Sequence, residues 1–183
     1  MIDIKEIIQP ENTLEESIIS DPEFVAGALY GKPRPGHPEG EVINHIRDVL
    51  KNIDKFTTDY SDRMKLRQIA IIHDSFKYKV DRDKPKYGDN HHATIARKFA
   101  SKYITDRNVL QIIELHDEAY NAWSIGNRKG DWIGAKKRAD KLIQNLGRNY
   151  KLFLTFFRCD TLTGNKDEKP LTWFEELVEF TNY

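Results

Sequence analysis

Apolar residues recur at three- and four-residue intervals along nearly the whole chain, and no segment alternates apolar with polar residues over the length of a strand. Residues so spaced share one face of an α-helix. The pattern predicts helices at 13–20, 22–29, about 41–53, 62–78, 90–103, 106–123, 131–146, 149–160 and 171–180. Thr13 with Glu16 reads as a capping box for the first of these and Asp21 as the cap of the second. Two stretches interrupt the pattern. Residues 31–40 carry three prolines and three glycines and cannot continue a helix, and Gly126 to Gly130 reads as a turn. The expected fold class is all-α.

At 183 residues with 39% hydrophobic content, the chain reads as one domain, 1–183. Its core is expected at about 41–161, with 1–40 and 162–183 as extensions. Lys plus Arg equals Asp plus Glu, 29 against 29, so no global field favours nucleic acid or an anionic membrane. Neither a stable nucleic-acid complex nor a membrane partner is expected, and anion binding must be local. The absence of a spanning apolar stretch and of a signal-peptide pattern at Met1 to Glu6 predicts a cytoplasmic protein. The one cysteine, Cys159, excludes an intrachain disulfide, and its aromatic neighbours predict a buried, inert thiol.

Chemistry enters with Ala70-Ile71-Ile72-His73-Asp74-Ser75-Phe76-Lys77, an adjacent His-Asp pair directly after an apolar run. Other polar groups lie on apolar faces in the same way: His45 with Val42 and Val49, His92 with Ile95, Ala96 and Phe99, His116 with Val109, Ile112 and Ile113, and Asp160 with Phe153, Phe156 and Phe157. One such histidine is most often a core residue with an ordinary hydrogen-bond partner. Six inward His and Asp groups would need as many separate partners, whereas a shared divalent cation meets their needs together and lets buried carboxylates stay ionised.

In chain order, His45, His73-Asp74, His92, His116 and Asp160 resemble the H…HD…H…H…D pattern of the HD superfamily, helical metal-dependent phosphohydrolases. Gly36 to Val42 and Arg158 to Leu162 are similar to segments of the HD portion of bacterial tRNA nucleotidyltransferases, the rest of which is absent here. The resemblance implies a stand-alone HD domain in which His45, His73, Asp74 and Asp160 hold one metal and Asp74 bridges to a second held by His92 and His116. It implies two divalent ions, with Mn, Fe, Co, Ni, Zn and Mg not distinguished by such ligands. Asp140, in Arg138-Ala139-Asp140-Lys141-Leu142, rivals Asp160 as last ligand, but Lys136 and Lys137 stand beside it where Asp160 has phenylalanines. Many members read HD-x-G-K; Phe76 stands at that glycine and is expected to narrow the pocket or alter the helix end.

The implied reaction is cleavage of a phosphate ester or anhydride, of a nucleotide or related small molecule, by a metal-activated hydroxide. Asp74, Lys77 and Asp117 are the expected catalytic residues, with Asp117 orienting an imidazole or protonating a leaving group. Lys77, Arg34, His37 and His91 are the expected substrate contacts. A basic run, Lys77, Lys79, Arg82, Lys84 and Lys86, reads equally as a phosphate funnel or, with Asp81, Asp83 and Asp89 interleaved, as a solvated loop. Tyr78, Tyr87, Tyr120, Trp123 and Trp132 are candidate stacking surfaces or packing residues. Two alternatives carry the same ligand set: a di-iron oxygenase, and a non-catalytic module that binds or senses a nucleotide.

Overall fold

Caps and apolar stripes account for most of the helix starts. The structure, a computed structural model, describes residues 3–33, 38 and 40–180. Among these are eleven α-helices and no strand: α1 (Ile4–Ile8), α2 (Thr13–Ser20), α3 (Pro22–Ala28), α4 (Val42–Phe56), α5 (Tyr60–Ile72), α6 (His92–Ala100), α7 (Arg107–Leu115), α8 (Glu118–Lys129), α9 (Trp132–Leu146), α10 (Tyr150–Thr161) and α11 (Lys169–Phe180). The all-α expectation is met. Asp3, Asp21, Asp59, Asp106 and Asp131 accept backbone N–H groups at the starts of α1, α3, α5, α7 and α9, supplying acceptors that a helix N-terminus otherwise lacks.

The differences from the periodic pattern are local. α1 is a five-residue helix, too short for a stripe to reveal. The cap of α2 is Asn12, whose Oδ1 accepts the Glu15 N–H at 2.9 Å, while Thr13 is the first helical residue. The expected helix 62–78 stops at Ile72, and Lys77–Lys79 form a separate 3-10 turn. The expected helix 106–123 breaks at His116 and Asp117, between α7 and α8. No glycine or proline marks that break, and the apolar stripe continues across it. The expected turn at 126–130 is mostly helix: α8 runs through Lys129, and only Gly130, at φ 69°, leaves it.

Buried side chains of all eleven helices join in one apolar core that takes in Ile8, Ile18 and Phe24 near the start and Leu171, Phe174 and Val178 near the end. α5 is its axis, with Ile69, Ala70, Ile71 and Ile72 wholly buried. α4, α7 and α10 pack around α5, α6 lies on α7, and α8 and α9 form a hairpin capped by α11. α3 packs on the turn that follows α5. A Cβ on Gly27 would stand 1.6 Å from the Ser75 carbonyl oxygen, so only glycine allows this approach. Phe76 turns into the core, fully buried with its ring 4.6 Å from that of Phe99. It lines neither of the two hollows beside the candidate site, so the expected narrowing is not seen.

A second buried polar feature ties α2 to α5. Arg67 and Glu15 are 3% and 0% exposed. The guanidinium donates Nε to Glu15 Oε1 at 3.0 Å, and Nη2 to Oε2 at 2.8 Å and to the Gln9 carbonyl at 3.1 Å.

Candidate metal centre

His73 and His116 are built alike. Each is the residue just past a helix, α5 or α7, and its Nδ1–H donates to the carbonyl three residues back: His73 to Ala70 at 2.9 Å and His116 to Ile113 at 2.8 Å. Helix C-termini leave such carbonyls without helical partners, and the bond fixes the tautomer so that Nε2 is a bare lone pair aimed inward. His45, in the first turn of α4, reaches the same state another way. The Thr163 hydroxyl donates to the Asp160 carbonyl at 2.7 Å and so accepts from His45 Nδ1, 3.3 Å away. His92 opens α6, and Asp160 lies in the last turn of α10.

These groups gather around Asp74. Its Oδ2 lies 3.6 Å from His73 Nε2 and 3.8 Å from His45 Nε2, and its Oδ1 lies 3.5 Å from both His92 Nε2 and His116 Nε2. Within each pair the imidazole nitrogens nearly touch: 3.3 Å for His45 and His73, 3.2 Å for His92 and His116. Asp160 Oδ1 adds to the first pair, 2.9 Å from His45 and 3.6 Å from His73. Asp140 stays outside; its carboxylate pairs with Lys136 on the surface of α9 at 2.8 Å.

This geometry fits a cation. The facing Nε2 atoms of His45 and His73 are both acceptors by tautomer, and two lone pairs at 3.3 Å repel unless a positive charge stands between them. The electrostatics agree. Burial and the nearby Lys166 push His45 below its ordinary pKa, leaving it neutral. Burial would also lower His116, yet Asp117 and Asp74 push it up to about 9, and His92 rises through the same two carboxylates. Without an ion, the second pair takes a proton. Burial alone would raise Asp74, but Lys77 and His73 hold it well below the carboxylate range; Lys166 and His45 do the same for Asp160. His45, His73 and Asp74, and again Asp74, His92 and His116, are disposed to hold an ion each.

Around the centre stand two ammonium groups. Lys77 Nζ lies 2.5 Å from Asp74 Oδ2, and Lys166 Nζ lies 3.0 Å from Asp160 Oδ1. Asp117 Oδ2 accepts from His92 at 3.2 Å, and its Oδ1 is 3.5 Å from His116. Burial favours its protonated form, but the His116 and His92 charges outweigh this and hold it well below the carboxylate range. His91 caps α6 through Nδ1, with Nε2 3.9 Å from Asp117. Of the expected substrate contacts, Arg34 and His37 lie outside the described residues.

Three participants escaped the sequence reading. Lys166 sits in the polar run Gly164 to Lys169, which carries no periodicity. Thr163 and Asn52 act through position: Asn52 Nδ2 donates to the carbonyls of Cys159 and Leu162, at 2.9 and 3.0 Å, and so pins the end of α10 beside α4. Asn52 does fall seven residues after His45, two turns along the same helix, and that spacing is the one signal in the sequence that singles it out.

The family model for the HD domain matches residues 42–146, more than half of the chain. The chain belongs to the HD family. Neither the curated proteins nor the solved structures offer a match. The HD match contains His45, His73, Asp74, His92, His116 and Asp140 and ends before Asp160, so the place of Asp160 beside His45 is information from the fold alone. HD domains bind divalent metals and are typical of metal-dependent phosphohydrolases. No helix among the described residues is long and apolar enough to cross a membrane.

Proposed function

We propose that this HD domain hydrolyses a phosphate ester or anhydride of a nucleotide or related small molecule, with residues 1–183 acting as one domain. His45, His73, Asp74 and Asp160 hold one divalent ion, and Asp74, His92 and His116 hold a second. The observation that carries this reading is a single buried carboxylate, Asp74, presenting one oxygen to each of two imidazole pairs. When bound, such ions lower the pKa of a water and polarise phosphoryl oxygens, supplying nucleophile and electrophile together.

The chain's own residues do the rest. The Nδ1 bonds of His73 and His116 hold their rings in one orientation, and the edge of Phe156, with ring centroids 5.2 Å apart, packs His73 in place. Lys77 stands over Asp74 at the opening, where its ammonium can swing from that carboxylate to a phosphoryl oxygen and offset charge that develops there. Lys166 does the same at Asp160 from the opposite side. Asp117, 3.2 Å from His92 Nε2 and 3.5 Å from His116 Nε2, adds negative charge beside the second imidazole pair and so favours a cation there. No Ser or Cys nucleophile is required: Cys159 is wholly buried, and burial pushes its thiol up to about 12.

The test is a hydrolysis screen over nucleoside mono-, di- and triphosphates, cyclic nucleotides and dinucleoside polyphosphates, with several divalent metals supplied in turn. Activity should appear with the wild-type chain and vanish in His73→Ala and in Asp74→Ala. Activity that survives either substitution, or oxygen consumption on a phosphate-free substrate in place of hydrolysis, overturns the reading.

A further inference from the structure

The candidate centre opens into two hollows that share Asp74 and Lys77 and differ in charge. The larger, about 1190 Å³, is lined by Lys32, Lys77, Arg82 and Lys86, and among the described residues Asp74 is its one acidic lining residue. The smaller, about 490 Å³, sets Asp74, Asp117, Asp160 and Asp167 against Lys77, Arg128 and Lys166, with Tyr120, Trp123 and the amides of Asn127 and Asn165. Like charges gathered along one side of a cleft attract the opposite charge there and repel it on the other.

The basic run after α5 resolves into two kinds of residue. Lys79 pairs with Glu23, and Lys84 pairs with Asp81 at 3.0 Å; both are ordinary surface contacts. Arg82 and Lys86 instead face the large hollow, and among the described residues no carboxylate lies within pairing distance of either or of Lys32. Arg82 is steadied by the Tyr30 hydroxyl, which accepts from Nη2 at 3.1 Å. On the other side, Tyr120 is 41% exposed and packs on the mostly buried Trp123 with ring centroids 5.9 Å apart, giving a flat apolar face beside two amides.

A single phosphate over the centre would be met by Lys77 and the ions and would leave the large basic hollow empty. We infer that the substrate is a polyphosphate bound in one direction: its anionic chain extends from the centre toward Lys32, Arg82 and Lys86, and an uncharged aromatic group rests on Tyr120 in the smaller hollow. This rests on the reading of the centre as a phosphoryl-cleaving site. It adds that phosphate groups continue past the reacting phosphorus on the side away from the aromatic group. The phosphoryl group next to that aromatic portion then stands over Asp74.

Calorimetric binding of orthophosphate and tripolyphosphate to the full chain tests this, in metal-loaded and EDTA-treated protein, so that the outcome does not depend on catalysis. Tripolyphosphate should bind about tenfold tighter than orthophosphate or better, the gain of one or two charge-assisted contacts. Arg82→Ala/Lys86→Ala should remove that gain. Lys79→Ala/Lys84→Ala, which deletes the same charge from the same segment, should keep it. All three proteins should have the same helical circular dichroism, because the substituted groups are at the surface. Equal affinity for the two anions, an advantage that survives Arg82→Ala/Lys86→Ala, or equal loss in both double variants overturns the inference. If the preference holds while no phosphate compound is hydrolysed, the anion site stands and the catalytic reading falls.

Discussion

Arg67, on α5, and Asp74, two residues past the end of that helix, are both buried charged groups, and their surroundings are opposites. Arg67 meets Glu15, Glu11 and the carbonyls of Gln9 and Ile8, so each nitrogen of its guanidinium finds an acceptor within the chain. Around Asp74 the partners do not match: the Nε2 lone pairs of His45 and His73 face each other at 3.3 Å, the His92–His116 pair at 3.2 Å is relieved by taking up a proton, and three carboxylates crowd the same space. Burial of charge is common to both and therefore does not identify a site. Internal completeness distinguishes them: the pair at Arg67 is finished by the chain itself, and the cluster at Asp74 is finished only by something from outside.

The comparison breaks most visibly by substitution on each side. Asp74→Asn should lower hydrolysis by on the order of a thousandfold or more, because the one negatively charged oxygen pair presented to both imidazole pairs is lost. The melting temperature of the EDTA-treated chain should fall only slightly, because Lys77 and the protonated His92–His116 pair lose the carboxylate that offsets their charge. A large fall in that melting temperature would make Asp74 a structural residue.

Glu15→Ala should do the reverse. Removing Glu15 leaves the buried Arg67 with Glu11 alone as a carboxylate partner, at 3.2 Å, and costs about 3 kcal/mol, read as a shift in the urea midpoint. Activity per folded molecule should not change, and Glu15→Leu/Arg67→Met should recover most of the stability.

Metal removal sharpens the contrast at a smaller scale. EDTA should lower stability by about 3 kcal/mol for an ion present at a hundred times its Kd. The same decrement should appear in Glu15→Ala, since the two regions share no partner. A chain whose unfolding ignores both EDTA and added metal would remove the distinction between them.

The smallest effect belongs to a surface pair outside both regions. Lys102 and Lys79 pull the Glu23 carboxyl from the model-compound value of 4.5 down to about 2. A depressed acid stabilises the fold above its unfolded pKa and loses that contribution as pH falls through the folded one. Glu23→Gln should therefore be slightly less stable than wild type at pH 7, by about 0.5 kcal/mol as for exposed pairs, and equal to it near pH 2. A constant difference between pH 7 and pH 2 would remove electrostatics as the cause.

Much of this was legible from local pattern. The stripes beside His45, His92, His116 and Asp160 locate polar groups on apolar helix faces, and all of these groups lie in or at the edge of the core. The breaks after Ile72 and Leu115 were not legible, because the apolar spacing runs on through them and no glycine or proline interrupts it. Yet those breaks turn His73 and His116 so that Nδ1 closes the helix end and Nε2 faces the cluster. The choice between Asp160 and Asp140 was only weakly favoured by neighbouring residues, and the family match does not extend to Asp160.

The chain by itself determines where helices form and which polar residues ride on their buried faces, because periodicity and capping act within a few residues of one another. Only the packed structure decides which of those residues meet, that Lys166 and Asn52 join them, and that the charge of the cleft lies on one side. Those facts arise from α4, α5, α7 and α10 converging across gaps of up to about a hundred residues, a separation that no local spacing records.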